Sequence, residues 1–249
     1  LSHDLLQKLS DLWNNWKQSD INTYIACCFV NLLAKRDLLD IIGNHNALSV
    51  LKELSLSSSL NCQCAAMAAI RRLTETESNK IQFMIDKSLI DVMNSNGKID
   101  NSDMTNEIAG CLRNLCQNEE YRQTIADMCI ETLKYFLSSN DFNTLENTMA
   151  TLAYLAESHH CTAFIIENIS MSRFVRLFEV KALPVIRETS RAISNLLSCS
   201  KIHTDFSLNG LQDFLNTCYR YTDEELFYSV SLACRKIVIS TESHATLVK

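Results

Sequence analysis

The sequence predicts an all-α protein, an α-solenoid of about six three-helix repeats. Three observations carry that reading. The 249 residues include only 4 glycines and a single proline, where average composition would supply about 17 and 12. Apolar residues recur at helical spacing along the chain. One nine-residue pattern also returns at a nearly constant interval.

The shortage of turn-formers removes sheets first. Hairpins and βα loops need residues that accept positive φ or fix φ, and this chain lacks them. Its length is ample for a buried core. The 47% apolar and 21% charged fractions are those of a folded protein.

The recurring pattern marks the long helix of each repeat. It reads IACCFVNLL at 25–33, AMAAIRRLT at 66–74, IAGCLRNLC at 108–116, MATLAYLAE at 149–157, SRAISNLLS at 190–198 and SLACRKIVI at 231–239. A reference column of Phe29, Ile70, Leu112, Leu152, Ile193 and Cys234 advances by 41, 42, 40, 41 and 41 residues. Heptads coinciding by chance would drift. The column just before it is Cys28, Ala69, Cys111, Thr151, Ala192 and Ala233. Small side chains there let neighbouring repeats approach closely. A single domain over 1–249 is expected, with repeats at roughly 1–42, 43–86, 87–126, 127–167, 168–207 and 208–249.

Within each repeat the other elements follow. Asp20, Asn61, Asp103 and Asn143 stand where the long helices should start. A short side-chain oxygen there can accept from the orphan N–H groups of the first turn. Pro184 takes the same place in the fifth repeat, where no backbone N–H is needed. Glu225 takes it in the sixth and suits the positive end of the helix dipole. Shorter amphipathic helices precede, at Leu5–Trp13, Leu48–Leu56, Leu89–Met93, Ile130–Leu137, Phe174–Phe178 and Leu211–Leu215. Polar turns followed by brief apolar stretches complete the unit, as at Glu77–Ile85, Asn118–Ile125 and Ser158–Ile166. At the N-terminal end, Trp13 is expected to pack the first helix onto the next repeat, and Trp16 either packs or forms an interaction patch.

Charge and cysteine narrow the function classes. Net charge is −6, with 23 basic against 29 acidic residues, so the basic excess that a general nucleic-acid binder needs is absent. The 11 cysteines include several inside apolar helical runs, a pattern of reduced thiols that points to the cytoplasm. The longest apolar runs, Ile25–Val30 and Ala65–Ile70, are too short to span a bilayer. The chain starts at Leu1, so a native start is expected to precede it, together with any lipid-anchor signal.

A three-helix unit of about 41 residues whose last helix reads small-apolar-x-Asn-Leu resembles the armadillo repeat. Ala109-Gly110-Cys111-Leu112-Arg113-Asn114-Leu115 is the nearest match, and Thr189–Leu197 follows it. Leu208-Asn209-Gly210-Leu211 looks like the family's glycine turn into its second helix. The resemblance covers essentially the whole chain. It implies a right-handed superhelix with the third helices lining a concave groove. In family members that bind extended peptides, an Asn on each third helix holds the ligand backbone. That column here is Asn31, Arg72, Asn114, Tyr154, Asn195 and Lys236. Either it contacts peptide, or its asparagines tie their own helices to neighbouring carbonyls. The column that carries Trp in importin-type grooves is Cys27, Ala68, Gly110, Ala150, Arg191 and Leu232, so binding of that type is not expected.

Arg71, Arg113 and Arg235 share a column, and Arg72, Arg191 and Lys236 stand nearby. Together they either make the groove locally basic, suiting an acidic partner segment, or form an ordinary solvated face. His159-His160-Cys161 and Cys199-Ser200-Lys201-Ile202-His203 match no paired zinc spacing; buried thiols and surface imidazoles are expected. Cys62-Gln63-Cys64 places its thiols on different helix faces. No phosphate-cradling glycine loop and no hydrolase or metalloprotease motif occurs. No catalytic residue, metal or cofactor is expected.

The expected activity is therefore a monomeric, non-catalytic scaffold that binds a protein or peptide segment along its groove. A chain of about six such repeats is also similar to the apicomplexan armadillo-repeats-only adaptors. That resemblance implies lipid anchoring through residues before Leu1 at the cytosolic face of an organelle, and recruitment of a myosin. Co-chaperones acting on Hsp70 or on myosin heads, and regulatory subunits of enzymes, are the alternatives.

Overall fold

The computed structural model describes Lys8, Asp11 and residues 19–43 and 47–239. Leu5, Leu6, Leu9, Trp13 and Trp16 lie outside the described residues. All regular structure among the described residues is helical. The six long helices are α1 (Ser19–Leu33), α4 (Leu60–Leu73), α7 (Ser102–Cys116), α9 (Phe142–Leu155), α12 (Leu183–Leu196) and α15 (Glu224–Ile239). Each contains its expected pattern up to the last turn.

The chain forms two compact units, Leu1–Leu115 and Cys116–Lys249. In the first, α1 packs on α4. Shorter helices α2 (Leu39–Gly43), α3 (Ala47–Ser55), α5 (Glu77–Ile85) and α6 (Ser88–Asn96) complete this unit. In the second, α9 packs on α12 and α12 on α15. Its other helices are α8 (Glu119–Phe136), which at 18 residues is longer than any of the six, α10 (His159–Asn168), α11 (Met171–Val175), α13 (His203–Asn209) and α14 (Leu211–Arg220).

The periodic columns become the core. Phe29, Ile70, Leu112, Leu152 and Ile193 are all buried, and each such side chain contributes about 1.5–3 kcal/mol by leaving water. Ala69, Cys111, Thr151, Ala192 and Ala233 are fully buried as well, whereas Cys28, on the first long helix, is exposed. Polar groups join residues one repeat apart. Asn79 donates to the Leu39 carbonyl at 3.0 Å and Asn96 to that of Ser55 at 3.0 Å. In the second unit Arg173 donates to the Lys134 carbonyl at 3.3 Å.

Two expectations change. The N-caps stand two residues before the expected column. Ser59 accepts from the Cys62 N–H, Asn101 from Met104, Asp141 from Thr144 and Asp223 from Leu226. Backbone at Ser59 and Asp141 is extended, so the helix has not yet begun there, and Asn61, Asp103, Asn143 and Glu225 fall inside the first turn. Pro184 lies in the first turn of α12, as its missing N–H requires. The turn and apolar stretch expected at Asn118–Ile125 and the helix expected at Ile130–Leu137 are one continuous helix, α8, capped by Asn118 and Leu137; neither glycine nor proline interrupts it.

Gly210 stands between α13 and α14. A Cβ there would come within 2.8 Å of the Phe206 ring and of Val175 Cγ2. Close packing, rather than a left-handed turn, accounts for the glycine.

Candidate functional site

Two of the column's three asparagines, and Lys236, join successive long helices. Asn114 Nδ2 on α7 donates to the Arg71 carbonyl of α4 and to Thr74 Oγ1, each at 3.2 Å. Asn195 Nδ2 on α12 donates to the Ala153 carbonyl of α9 at 3.0 Å. Lys236 Nζ on α15 donates to the Ser194 carbonyl of α12 at 2.6 Å. Each donor reaches the carbonyl one position before its own column in the preceding repeat. Burial pushes the Lys236 ammonium below its ordinary range. Asn31 is exposed on α1, and Arg72 is exposed and paired with Glu75 at 3.0 Å.

Three arginines of the expected basic face, Arg71, Arg72 and Arg191, have carboxylate partners. Arg71 forms an ion pair with Glu107 of α7 at 3.3 Å. Its guanidinium lies against Gly110, where an added Cβ would meet Nε at 2.3 Å. Arg71 therefore serves the seam between helices. Arg191 is held by Glu188 at 2.7 Å and Glu157 at 3.6 Å. Arg113 is half-buried, and Arg235 is exposed on α15. Charge at Arg71, Arg72 and Arg191 is balanced within the fold.

Residues outside the expected set build a cleft in the second unit. Tyr154 from α9, Arg187, Glu188 and Arg191 from α12, and Glu224, Glu225, Tyr228 and Ser229 from α15 line it, with a volume of about 470 Å³. The Arg191 guanidinium lies over the Tyr154 ring, 4.4 Å from its centroid, and Arg122 approaches the same ring at 5.8 Å. Glu157 joins the two arginines, with Arg122 at 2.9 Å. Arg187 hydrogen-bonds Asp223 and holds its carboxyl below the usual aspartate range. Tyr228 is 71% exposed. Three glutamates against two arginines line the cleft, and Asp223 and Glu157 pair with those arginines, so its balance is acidic. Of the expected residues, the cleft brings together only Tyr154 and Arg191. One usable signal was missed: opposite charges 36 residues apart, as in Arg71–Glu107 and Arg187–Asp223.

The cysteine and histidine clusters resolve individually. Cys161 is buried and bonds Gln123 Oε1 at 3.5 Å. His159 and His160 are exposed, but His203 is buried, its Nε2 bonded to the Leu197 carbonyl at 2.8 Å. The expectation of surface imidazoles thus fails at His203, which caps a carbonyl instead. Cys62 is buried and bonds the Leu54 carbonyl, whereas Cys64 bonds Asn101 Oδ1. Among the described residues no group of three His, Cys, Asp or Glu side chains is placed to hold a metal. No described helix is long and apolar enough to cross a membrane.

No protein-family model matches the chain, and no curated protein matches it in sequence. Solved structures do match its fold. A designed armadillo repeat protein superposes with a TM-score of 0.82 at 16% identity, over 94% of this chain and 98% of that one. An engineered protein gives 0.82 at 20% identity, over 94% and 96%. A designed armadillo repeat protein in complex with peptide (KR)4 gives 0.79 at 17% identity, over 94% and 98%. The fold is thus that of an all-α, armadillo-type solenoid.

Proposed function

We propose that the chain is a non-catalytic protein-binding scaffold, and that the cleft across α9, α12 and α15 receives a basic, extended segment of its partner. The observation that carries this reading is the composition of the cleft. An exposed tyrosine, Tyr228, stands beside carboxylates of which Glu224 and Glu225 are exposed. Aromatic faces and carboxylates together suit Arg and Lys side chains through cation–π and charge-assisted contacts. A fold neighbour carries a bound (KR)4 peptide, which supports the same choice. This replaces the acidic partner expected from the arginine columns, because Arg71, Arg72 and Arg191 already have carboxylate partners.

Fluorescence anisotropy with a labelled Lys-Arg octapeptide and a labelled Asp-Glu octapeptide tests the reading. The basic peptide is expected to bind and to weaken as salt rises. Replacing both Glu224→Lys and Glu225→Lys should reverse the preference. Equal binding of the two peptides, or no binding of the basic one, would overturn it.

A narrower reading follows from the resemblance to armadillo-repeats-only adaptors: a monomer in the cytoplasm, anchored at an organelle membrane and recruiting a myosin through this cleft. Its support is the repeat fold. Affinity purification from native cells tests it against the co-chaperone and regulatory-subunit readings. Recovery of Hsp70 or an enzyme in place of a myosin would reject it.

A further inference from the structure

The link between α14 and α15 is three residues long, Tyr221-Thr222-Asp223. Thr222 is exposed, and its hydroxyl has no hydrogen-bond partner among the described residues. Asp223, Glu224 and Glu225 follow it, and no other serine or threonine of the chain precedes three carboxylates in a row. Glu224 and Glu225 are exposed, the Glu225 side chain at 78%. Both stand in the first turn of α15, and helix ends fray. Opening that turn costs the cap that Asp223 places on the Leu226 N–H.

A Ser/Thr kinase directed by acidic residues selects its substrate by pairing basic side chains with the carboxylates that follow the hydroxyl, the third above all. Thr222 offers all three, with Glu225 in the third place. The fold separates it from weaker matches. Thr74 is followed by Glu75 and then by Glu77, but it is fully buried and donates to the Arg71 carbonyl at 2.7 Å. Ser88 has Asp91 in the third place, but its hydroxyl donates to Asp86 at 2.5 Å and accepts from Lys52 at 3.0 Å.

We propose that Thr222 is a phosphorylation site, and that its phosphate strengthens the hold of the adjoining cleft on a basic segment. The second part rests on the cleft being a site for basic segments. In the modification, Thr222 Oγ attacks the γ-phosphorus of ATP bound to the kinase. The new O–P bond forms as the bond to ADP breaks, ADP leaves with the electron pair, and the hydroxyl proton passes to the kinase's base. The product carries about −1.5 to −2 charge at neutral pH. Thr222 and Glu224 are two residues apart, so their Cα atoms lie within about 7 Å of one another. The Debye length at physiological salt is about 8 Å, so the phosphate is felt in the cleft. Three glutamates and two arginines line that cleft, and the phosphate adds more negative charge than this excess. Its place before α15 also meets the positive end of the helix dipole, so the fold accommodates it.

The full chain is incubated with ATP, Mg²⁺ and a purified acid-directed kinase of the casein-kinase-II type, and its phosphopeptides are mapped by mass spectrometry. Phosphate is expected on Thr222, and Thr222→Ala should remove it. Thr222 left unmodified overturns the proposal. A free peptide of residues 216–228 that is modified in the same assay would lay that failure on the fold rather than the sequence. The phosphorylated chain should then bind the labelled Lys-Arg octapeptide about threefold more tightly than the unmodified chain, a gain that shrinks as salt rises. Thr222→Ala treated alike should show no gain, and circular dichroism confirms that all forms fold. Binding that the phosphate leaves unchanged overturns the regulation alone. No binding of the octapeptide by either form overturns the cleft reading and the regulation together, and the site itself is still decided by the mass map.

Discussion

The seam between α4 and α7 in the first unit and the seam between α9 and α12 in the second solve one packing problem in opposite directions. Both use an asparagine of the later helix, Asn114 or Asn195, to reach a carbonyl of the earlier one. They differ in which helix supplies bulk. In the first seam the earlier helix sends Arg71 forward, into the space left by Gly110. In the second the later helix sends Arg191 backward, onto the Ala150 carbonyl at 3.4 Å and over the Tyr154 ring. The position on that earlier helix equivalent to Arg71 is Ala153. What repeats is the filled volume at the seam, not the residue that fills it. The backward arginine, Arg191, comes to line the cleft.

The sharpest test of equivalence lies in the shared core column. Ile70 and Leu152 occupy the same position and both are fully buried. Ile70→Ala and Leu152→Ala are each expected to lower stability by about 2–5 kcal/mol, through lost transfer energy plus the cavity left behind. Chemical denaturation followed by circular dichroism measures both. A large loss at one and almost none at the other would show that the two seams are not built on one plan.

The stitches come next in size. Asn195→Ala should cost about 0.5–1.5 kcal/mol, the net value of one intramolecular hydrogen bond, and Asn114→Ala, which loses two, should cost more. Their effect on binding separates the alternatives left open for this column. If the asparagines act as stitches, peptide affinity of the folded double variant stays within a factor of two. A tenfold loss would return the column to ligand binding.

Legibility followed the range of each interaction. The six long helices, the reference column and its small-residue neighbour were readable because their signal is local and repeats. The caps were shifted because Ser59 and Asn61, Asn101 and Asp103, and Asp141 and Asn143 are all competent cap residues two positions apart. Only the extended backbone at the earlier member decides between them. The break expected inside α8 failed because a change of apolar phase does not end a helix by itself. The pairing of Arg71 could not be read locally because Glu107 lies 36 residues away, and such a charge gains meaning only once the repeat is folded. Tyr228 and Glu188 gave no local motif; only their convergence on one cleft marks them.

The two arginines themselves offer a smaller contrast. Gly110→Ala must displace the flexible end of Arg71 from Glu107. A partly exposed ion pair is worth about 0–1 kcal/mol, so the loss should be of that size. Arg191→Ala removes a stack over Tyr154, worth about 0.5–1 kcal/mol at a partly exposed site, and also uncovers the ring. Thermal melts should therefore shift little in both variants. The basic octapeptide should tell them apart, since Arg191→Ala removes positive charge from the cleft and tightens binding, whereas Gly110→Ala leaves it unchanged. Tightening by both would mean that the cleft is not where the peptide binds.

The smallest expected effect is acid sensitivity, and it too differs between the units. Asp86 in the first is lowered by hydrogen bonds from Lys52 and Ser88, and Asp223 in the second by the hydrogen bond from Arg187. A carboxyl lowered in the folded state binds fewer protons than its unfolded counterpart. Its contribution is therefore complete above the ordinary aspartate value of about 3.9 and is lost as pH falls below it toward the folded value. The Asp86 side chain is 44% exposed and that of Asp223 only 10%. Solvent screens the first pair more, so Asp223→Asn should flatten the loss of stability below pH 4 more than Asp86→Asn does. Denaturation midpoints compared at pH 6 and pH 3 measure this. An equal slope in both variants would show that burial does not separate the two pairs.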